Sequence, residues 1–394
     1  MSPLAGAALL LAGAASAQTF RDYRVLYDPA SDGRRATWAT IVPHSSRWEL
    51  VFTDFVEDDE AGALPYLVRS RRGGKSWSAP EPFAMEILRK LGNPKEASSA
   101  LSTFGPTRRG TVLAVGYHVA KGARKESYKE DIRYRGGSLV VGRKEKGARD
   151  FAWQAYPTGT FLGEQFGYGG IIHSSGRTIL QIWGAARGGE NWQCGVLLSD
   201  DDGRTFRYRT VGYEPSLEIR DDPRTPAGFN EQTLLEMTGG TLVSLIRGRE
   251  KLGRVPDSRR DTWYFRSESR DRGETWSKPE PTNLAGTGAP PSGIALPDGS
   301  LLTASRVPYS RTLYPLGDKT AFGLHFARSI DGGRTWTTTR LFQADPEGRP
   351  FDNHYNAMNG QFLRLGRGRW LYLFPHFAVK SKIHRVLSVT IDAR

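Results

Sequence analysis

The chain has 394 residues, 38% hydrophobic and 25% charged, enough apolar material for a large buried core and with no low-complexity tract that would read as disorder. Its 45 Gly and 23 Pro favour many turns over long helices, and past the first residues no stretch is apolar enough to cross a bilayer as a helix, so no membrane span is expected. Lys and Arg exceed Asp and Glu by 13, but they are spread out, and the densest run (Lys121 to Arg149) also holds Glu126, Glu130, Asp131 and Glu145; the surface is expected to attract anionic small molecules rather than nucleic acid.

Residues 1–17 read MSPLAGAALLLAGAASA, an apolar run ending in the small-residue triplet Ala15-Ser16-Ala17. That pattern predicts a signal peptide cut before Gln18, too short to anchor, and therefore a secreted or periplasmic protein whose mature part is 18–394. Cys194 is the only cysteine, so no intrachain disulfide forms and a buried thiol is expected. The first mature strand is predicted at Phe20 to Tyr27.

From there two patterns alternate along the chain. One is an apolar strand, a turn and a second apolar strand, first at Ser45 to Asp54 around Arg47, then around Gly110, Gly176, Gly240, Gly299 and Gly368. The other is Ser-x-Asp-x-Gly-x-Thr-Trp or a near copy. It begins at Ser70 (with Arg72 in the Asp place), Ser199 (with Phe206 in the Trp place), Ser269 and Ser329. Asp bonds turn amides, Gly accepts positive φ, and Trp anchors the next strand, so these boxes read as structural hairpins. Successive turn positions are 63, 66, 64, 59 and 69 residues apart, counted from 47. Units of that length hold four short antiparallel strands and no amphipathic helix, which predicts an all-β, six-bladed β-propeller as a single domain over 18–394. The last strand, Arg385 to Ile391, is expected to pair with the first.

Seven residues beyond each turn position, the second strand of every unit reaches the same point. The residues there are Asp54, Tyr117, Trp183, Arg247, Arg306 and Pro375. Arginines at one register can hold a carboxylate bidentately and aromatics can stack on a sugar ring; the same set would also serve as ion pairs near a channel mouth. All of these but Pro375, together with His376, form the candidate substrate-binding set. Glu231 lies 16 residues before Arg247 and is expected to face it across the hairpin.

The boxes within this frame resemble those of the sialidase superfamily, also called BNR-repeat proteins, over residues 20–394. The resemblance implies an exo-α-sialidase-like, retaining glycosidase acting on a terminal acidic sugar of a glycan. In that pattern Glu231 activates a tyrosine nucleophile, Arg247 binds the sugar carboxylate, and an aspartate in Glu57 to Glu60, Asp58 or Asp59, protonates the leaving oxygen. The chain departs from the pattern in three places. Trp38 to Val42 holds no arginine where the family has its first, and Thr320 to Leu324 none where it has its third, leaving Arg306 as the substitute. Asn359 stands at the nucleophile's register, with Tyr355 four residues earlier. Two other functions remain open. One is a polysaccharide lyase on uronates using Tyr117, His118, His376 and Arg247; the other is a non-catalytic glycan-binding propeller. The seven histidines are scattered without HxH or HExxH spacing, and no phosphate-binding glycine loop occurs, so neither metal nor cofactor is expected.

Overall fold

The computed structural model describes residues 18–29, 33–44, 46–54, 62–71, 73–119, 137–163, 165–185, 192–213, 228–249, 262–286, 291–307, 323–351, 360–378 and 383–393. Strand β1 (Thr19–Tyr27) starts no sheet of its own. Three stand-alone antiparallel sheets follow the repeat directly. They are β2 (Thr37–Pro43), β3 (Trp48–Asp54), β4 (Leu64–Ser70) and β5 (Glu81–Pro82); β6 (Ser98–Pro106), β7 (Val112–Val119), β8 (Gly137–Lys144) and β9 (Ala152–Tyr156); and β18 (Ser292–Ala295), β19 (Leu301–Val307), β20 (Gly323–Ser329) and β21 (Thr337–Phe342). A fourth joins β22 (Gln361–Gly366), β23 (Arg369–Ala378) and β24 (Ile383–Asp392) to β1, with Phe20 opposite Ile391.

Where six separate blades are predicted, four stand as separate four-stranded sheets. The other two repeat units share one eight-stranded sheet. They are β10 (Phe166–Ser174), β11 (Arg177–Ala185), β12 (Trp192–Ser199) and β13 (Arg207–Gly212), then β14 (Gly228–Glu236), β15 (Leu242–Arg249), β16 (Thr262–Ser269) and β17 (Glu280–Gly286). A single parallel pairing, Trp192 with Gly228, joins the two units. Gly228 permits it: its φ is 115°, and a Cβ there would lie 2.3 Å from Trp192 O. A second departure is helix α1 (Met85–Leu91), which buries Ile87 and Leu88 against Phe83 and Val51 in the connection between β5 and β6. At seven residues it is too short for a periodic pattern to stand out in the sequence.

The architecture is a β-propeller of four-stranded antiparallel blades. The innermost strands β2, β6, β10, β14, β18 and β22 touch in that order, and β22 touches β2 again. Polar side chains sew neighbours together: Ser102 Oγ to Gly167 O (2.5 Å), Gln232 Nε2 to Gly195 O (2.5 Å), and Gln361 accepting from Ile41 N (2.7 Å). Each hairpin turn glycine, from Gly110 to Gly368, has positive φ, which explains why glycine recurs there.

The Ser-x-Asp turns join third to fourth strands at one end of the sheets. In the turn at Ser269, Ser269 Oγ accepts from Gly273 N (2.8 Å), while Asp271 accepts from Thr275 N (2.9 Å) and Thr275 Oγ1 (2.5 Å); the turns at Ser199 and Ser329 repeat this. Burial disfavours charge on Asp201, Asp271 and Asp331, but the Thr and Ser donors outweigh it and hold each carboxyl at about 2. An arginine of the preceding unit then caps the fourth residue's carbonyl in each of these turns. Arg143 Nε reaches Asp202 O (2.9 Å), Arg177 Nη1 reaches Arg272 O (3.1 Å) and Arg266 Nε reaches Gly332 O (2.6 Å). The turn at Ser70 keeps the Ser–Gly bond (3.0 Å), and Trp77 Nε1 there donates to Leu26 O of β1 (2.8 Å), across the seam where the chain ends meet.

Candidate functional site

Second strands of the blades end opposite the Ser-x-Asp turns, so Asp54, Tyr117, Trp183, Arg247 and Arg306 all lie towards one end of the propeller. The bulge in β14 does most to shape that end. Phe229 pairs with Gly248 and Gln232 with Ile246, leaving Asn230 and Glu231 together opposite Arg247. Phe229 packs with Cys194 and Val196 of the preceding unit, and Gln232 bonds Gly195 there, so both face that unit. Two residues between them share the other face, because side chains alternate along a strand and the bulge adds one extra. Glu231 and Arg247 meet there in an ion pair, their side chains 11% and 12% exposed. A charge pair so far out of water needs close geometry, which the bulge supplies.

In the first blade, Asp54 accepts from Arg35 through both backbone N and Nε (3.1 Å each), and Arg34 Nη1 lies 3.5 Å from its other oxygen. Arg34 also covers the Tyr66 ring at 4.0 Å. Aromatic rings line the same end through the first three units. Trp38 contacts Tyr117 (5.8 Å), Tyr117 contacts Phe166 (5.1 Å), Phe166 stacks on Trp183 (4.6 Å), and Trp183 meets Trp192 (4.7 Å). Tyr117 is buried among them, whereas Trp183 is half-buried. Arg306 is also buried, on β19.

No protein-family model and no curated protein matches the sequence. Solved structures do match it. A protein of unknown function from Dyadobacter fermentans has TM-score 0.66 and 16% identity over 96% of this chain and 99% of its own. The Hadza microbial sialidase Hz136 has TM-score 0.64 and 15% identity over 94% of this chain and 68% of its own. Trypanosoma rangeli sialidase in complex with sialic acid has TM-score 0.59 and 15% identity over 91% of this chain, which spans 54% of that sialidase. The fold is sialidase-like.

Within this sialidase-like propeller the sequence-predicted residues are dispersed more than one register implies. Glu231 and Arg247 are brought together. Tyr117 and Trp183 are linked through Phe166. Asp54 is engaged by two arginines, Arg34 and Arg35. His376 is a correction. It is 0% exposed, with Nδ1 3.5 Å from Asp345 and 3.4 Å from Arg385 Nε, and Phe351 lies edge-on to it at 5.4 Å. Burial, helped by Arg385 and opposed by Asp345, pushes its imidazole down to about 4, so it is a neutral core residue. Eight residues past its turn rather than seven, its side chain falls on the other side of the strand. His118, beside Ser99 Oγ at 2.9 Å, is likewise buried, and burial lowers its pKa. Tyr355, Asp58 and Asp59 lie outside the described residues.

Sequence reasoning missed Arg34 and Arg35. The signal was present: an Arg-Arg pair directly before the first blade's inner strand, 19 residues from an Asp at the shared register. They sit upstream of Trp38, whose φ of 45° turns the chain between Thr37 and Thr40 and offsets the count. Chemically, the described residues at this end of the sialidase-like propeller include Arg34, Arg35, Arg247 and Arg306 with Asp54 and Glu231, and an aromatic wall beside them. Such a mixture suits an anion carried on an apolar-faced ring, as a sugar acid is.

Proposed function

We propose that this chain is a sialidase-like glycoside hydrolase that removes a terminal acidic sugar from a glycan. The observation that carries this reading is the buried Glu231–Arg247 pair, held by a bulge at the arginine-rich end of the sheets. Arg247 and Arg306, joined by Arg34 or Arg35, hold the sugar carboxylate, and Trp183 flanks the ring. Glu231 takes the proton of Tyr355 as its oxygen attacks the anomeric carbon, and Asp58 or Asp59 protonates the departing oxygen; water then releases the sugar with retention. A phenol suits this role because a carboxylate nucleophile would be repelled by the sugar's own carboxylate. We read the two halves of the eight-stranded sheet as blades, making six in one domain over 18–394. Residues 1–17 are read as a leader that sends the protein out of the cytoplasm.

The test is turnover of a fluorogenic sialoside. Glu231→Gln should reduce kcat by about 10²–10⁴-fold, the usual worth of a positioned acid or base. Wild-type binding without turnover would instead make the protein a glycan-binding propeller. The lyase reading is weakened because Tyr117 and His118 are both buried.

A further inference from the structure

We propose that Asn230 is a specificity-determining residue of this site, accepting a hydrogen bond from a hydroxyl or amide N–H of the bound sugar. The inference rests on the reading of this end of the propeller as the sugar site. Asn230 is 9% exposed, and its Oδ1 is buried with no hydrogen-bond partner among the described residues. Buried amide oxygens are almost always bonded, because burying one unmade costs more than a made bond contributes. An apolar residue would fill the same place without that penalty. Instead the bulge sets Asn230 and Glu231 together opposite Arg247, so that Asn230 is one residue from the charged pair along the strand, and alternation of side chains puts it on the face away from Phe229 and Gln232. The unmade bond therefore lies next to the charged pair and away from the core formed by Phe229 with Cys194 and Val196. Arg247 offers only N–H donors: it favours a negative charge and can accept no hydrogen bond from a ligand. Asn230 adds what the arginines lack, a neutral acceptor that rejects a ligand having no donor at that position. Sites built this way discriminate strongly, since a ligand lacking the donor leaves the acceptor buried and unpaired.

The experiment titrates the full chain with sialic acid by calorimetry, for wild type, Asn230→Leu and Asn230→Asp, and records the thermal midpoint of each. Asn230→Leu should bind sialic acid at least about tenfold more weakly while melting no lower than wild type, because it removes an unpaired polar group. Asn230→Asp keeps the acceptor and the shape; it should retain more affinity than Asn230→Leu despite its added charge. A leucine variant that melts lower yet binds as wild type does would show a structural asparagine and overturn the proposal. Wild-type protein that binds no sialic acid, with Arg247→Ala equally inert, would overturn the sugar-site reading itself and this inference with it.

Discussion

In the proposed site for an acidic sugar, the carboxylate of Asp54 is given to arginines. Its two oxygens are engaged by Arg34 and Arg35, and its side chain is 19% exposed. Two opposite outcomes separate the possible parts it plays. If it were only a nearby negative charge, Asp54→Ala would tighten anion binding by removing repulsion. If it orients the arginines, the same change should weaken sialic acid binding by about tenfold, since the guanidinium groups lose the partner that fixes their direction. We expect the second result from calorimetric titration, with the thermal midpoint showing that the variant is folded. Glu231 and Arg247 are different, because both are mostly buried and each carries a charge opposite to the other's.

Among the elements, the seam between β12 and β14 is where local sequence and global arrangement meet. Gly228→Ala would put a Cβ 2.3 Å from Trp192 O at a φ of 115° that side chains avoid. The backbone must shift to admit it, at a cost of about 2–4 kcal/mol. Chemical denaturation should therefore show a lower midpoint, and ligand binding should fall with it, because the displaced strand start lies two residues from Asn230. Gly147→Ala, in an open turn with nothing within 4 Å, is the comparison; it too has positive φ, so any difference between the two isolates the contact with Trp192. The arginines that cap successive turns make the same point. Arg143 and Arg266 occupy third strands and Arg177 a second strand, yet all three meet the same carbonyl position of the following unit. Such a device depends on where blades sit, and no spacing rule in one unit reveals it.

At the scale of the whole molecule, stability against acid follows from which groups are buried. His325 and His376 are neutral and pushed down to about 4, chiefly by burial. The unfolded chain binds protons at these imidazoles below their ordinary pKa of 6.5 while the folded chain does not, so stability falls as pH drops from about 6.5 to about 4. The turn aspartates then act in a lower window. Their folded pKa of about 2 lies below the ordinary 3.8, so the stability they contribute is complete above 3.8 and is lost as pH falls towards 2. Thermal midpoints measured from pH 7 to pH 2 should fall in both windows. His376→Gln should make the upper fall shallower, with the His325 share remaining, and leave the lower unchanged.

Much of this architecture is local and was therefore readable along the chain. Strand alternation, the turn glycines at positive φ and the Ser-x-Asp turns each depend on residues within about ten positions, and a repeat multiplies the signal. The pairing of β1 with β24 could be expected too, because an unpaired first strand and an open last sheet have one common solution. The Glu231–Arg247 contact was legible for the same reason, as a hairpin fixes its own register. Three-dimensional packing alone decided the rest. Whether Trp192 reaches Gly228, whether Asp54 is free or shared, and whether His376 faces a channel or a core depend on approaches between segments and on bulges that shift side-chain direction by one residue. Period counting cannot register that shift, since a single extra residue in a strand exchanges inside for outside while leaving composition and spacing almost unchanged.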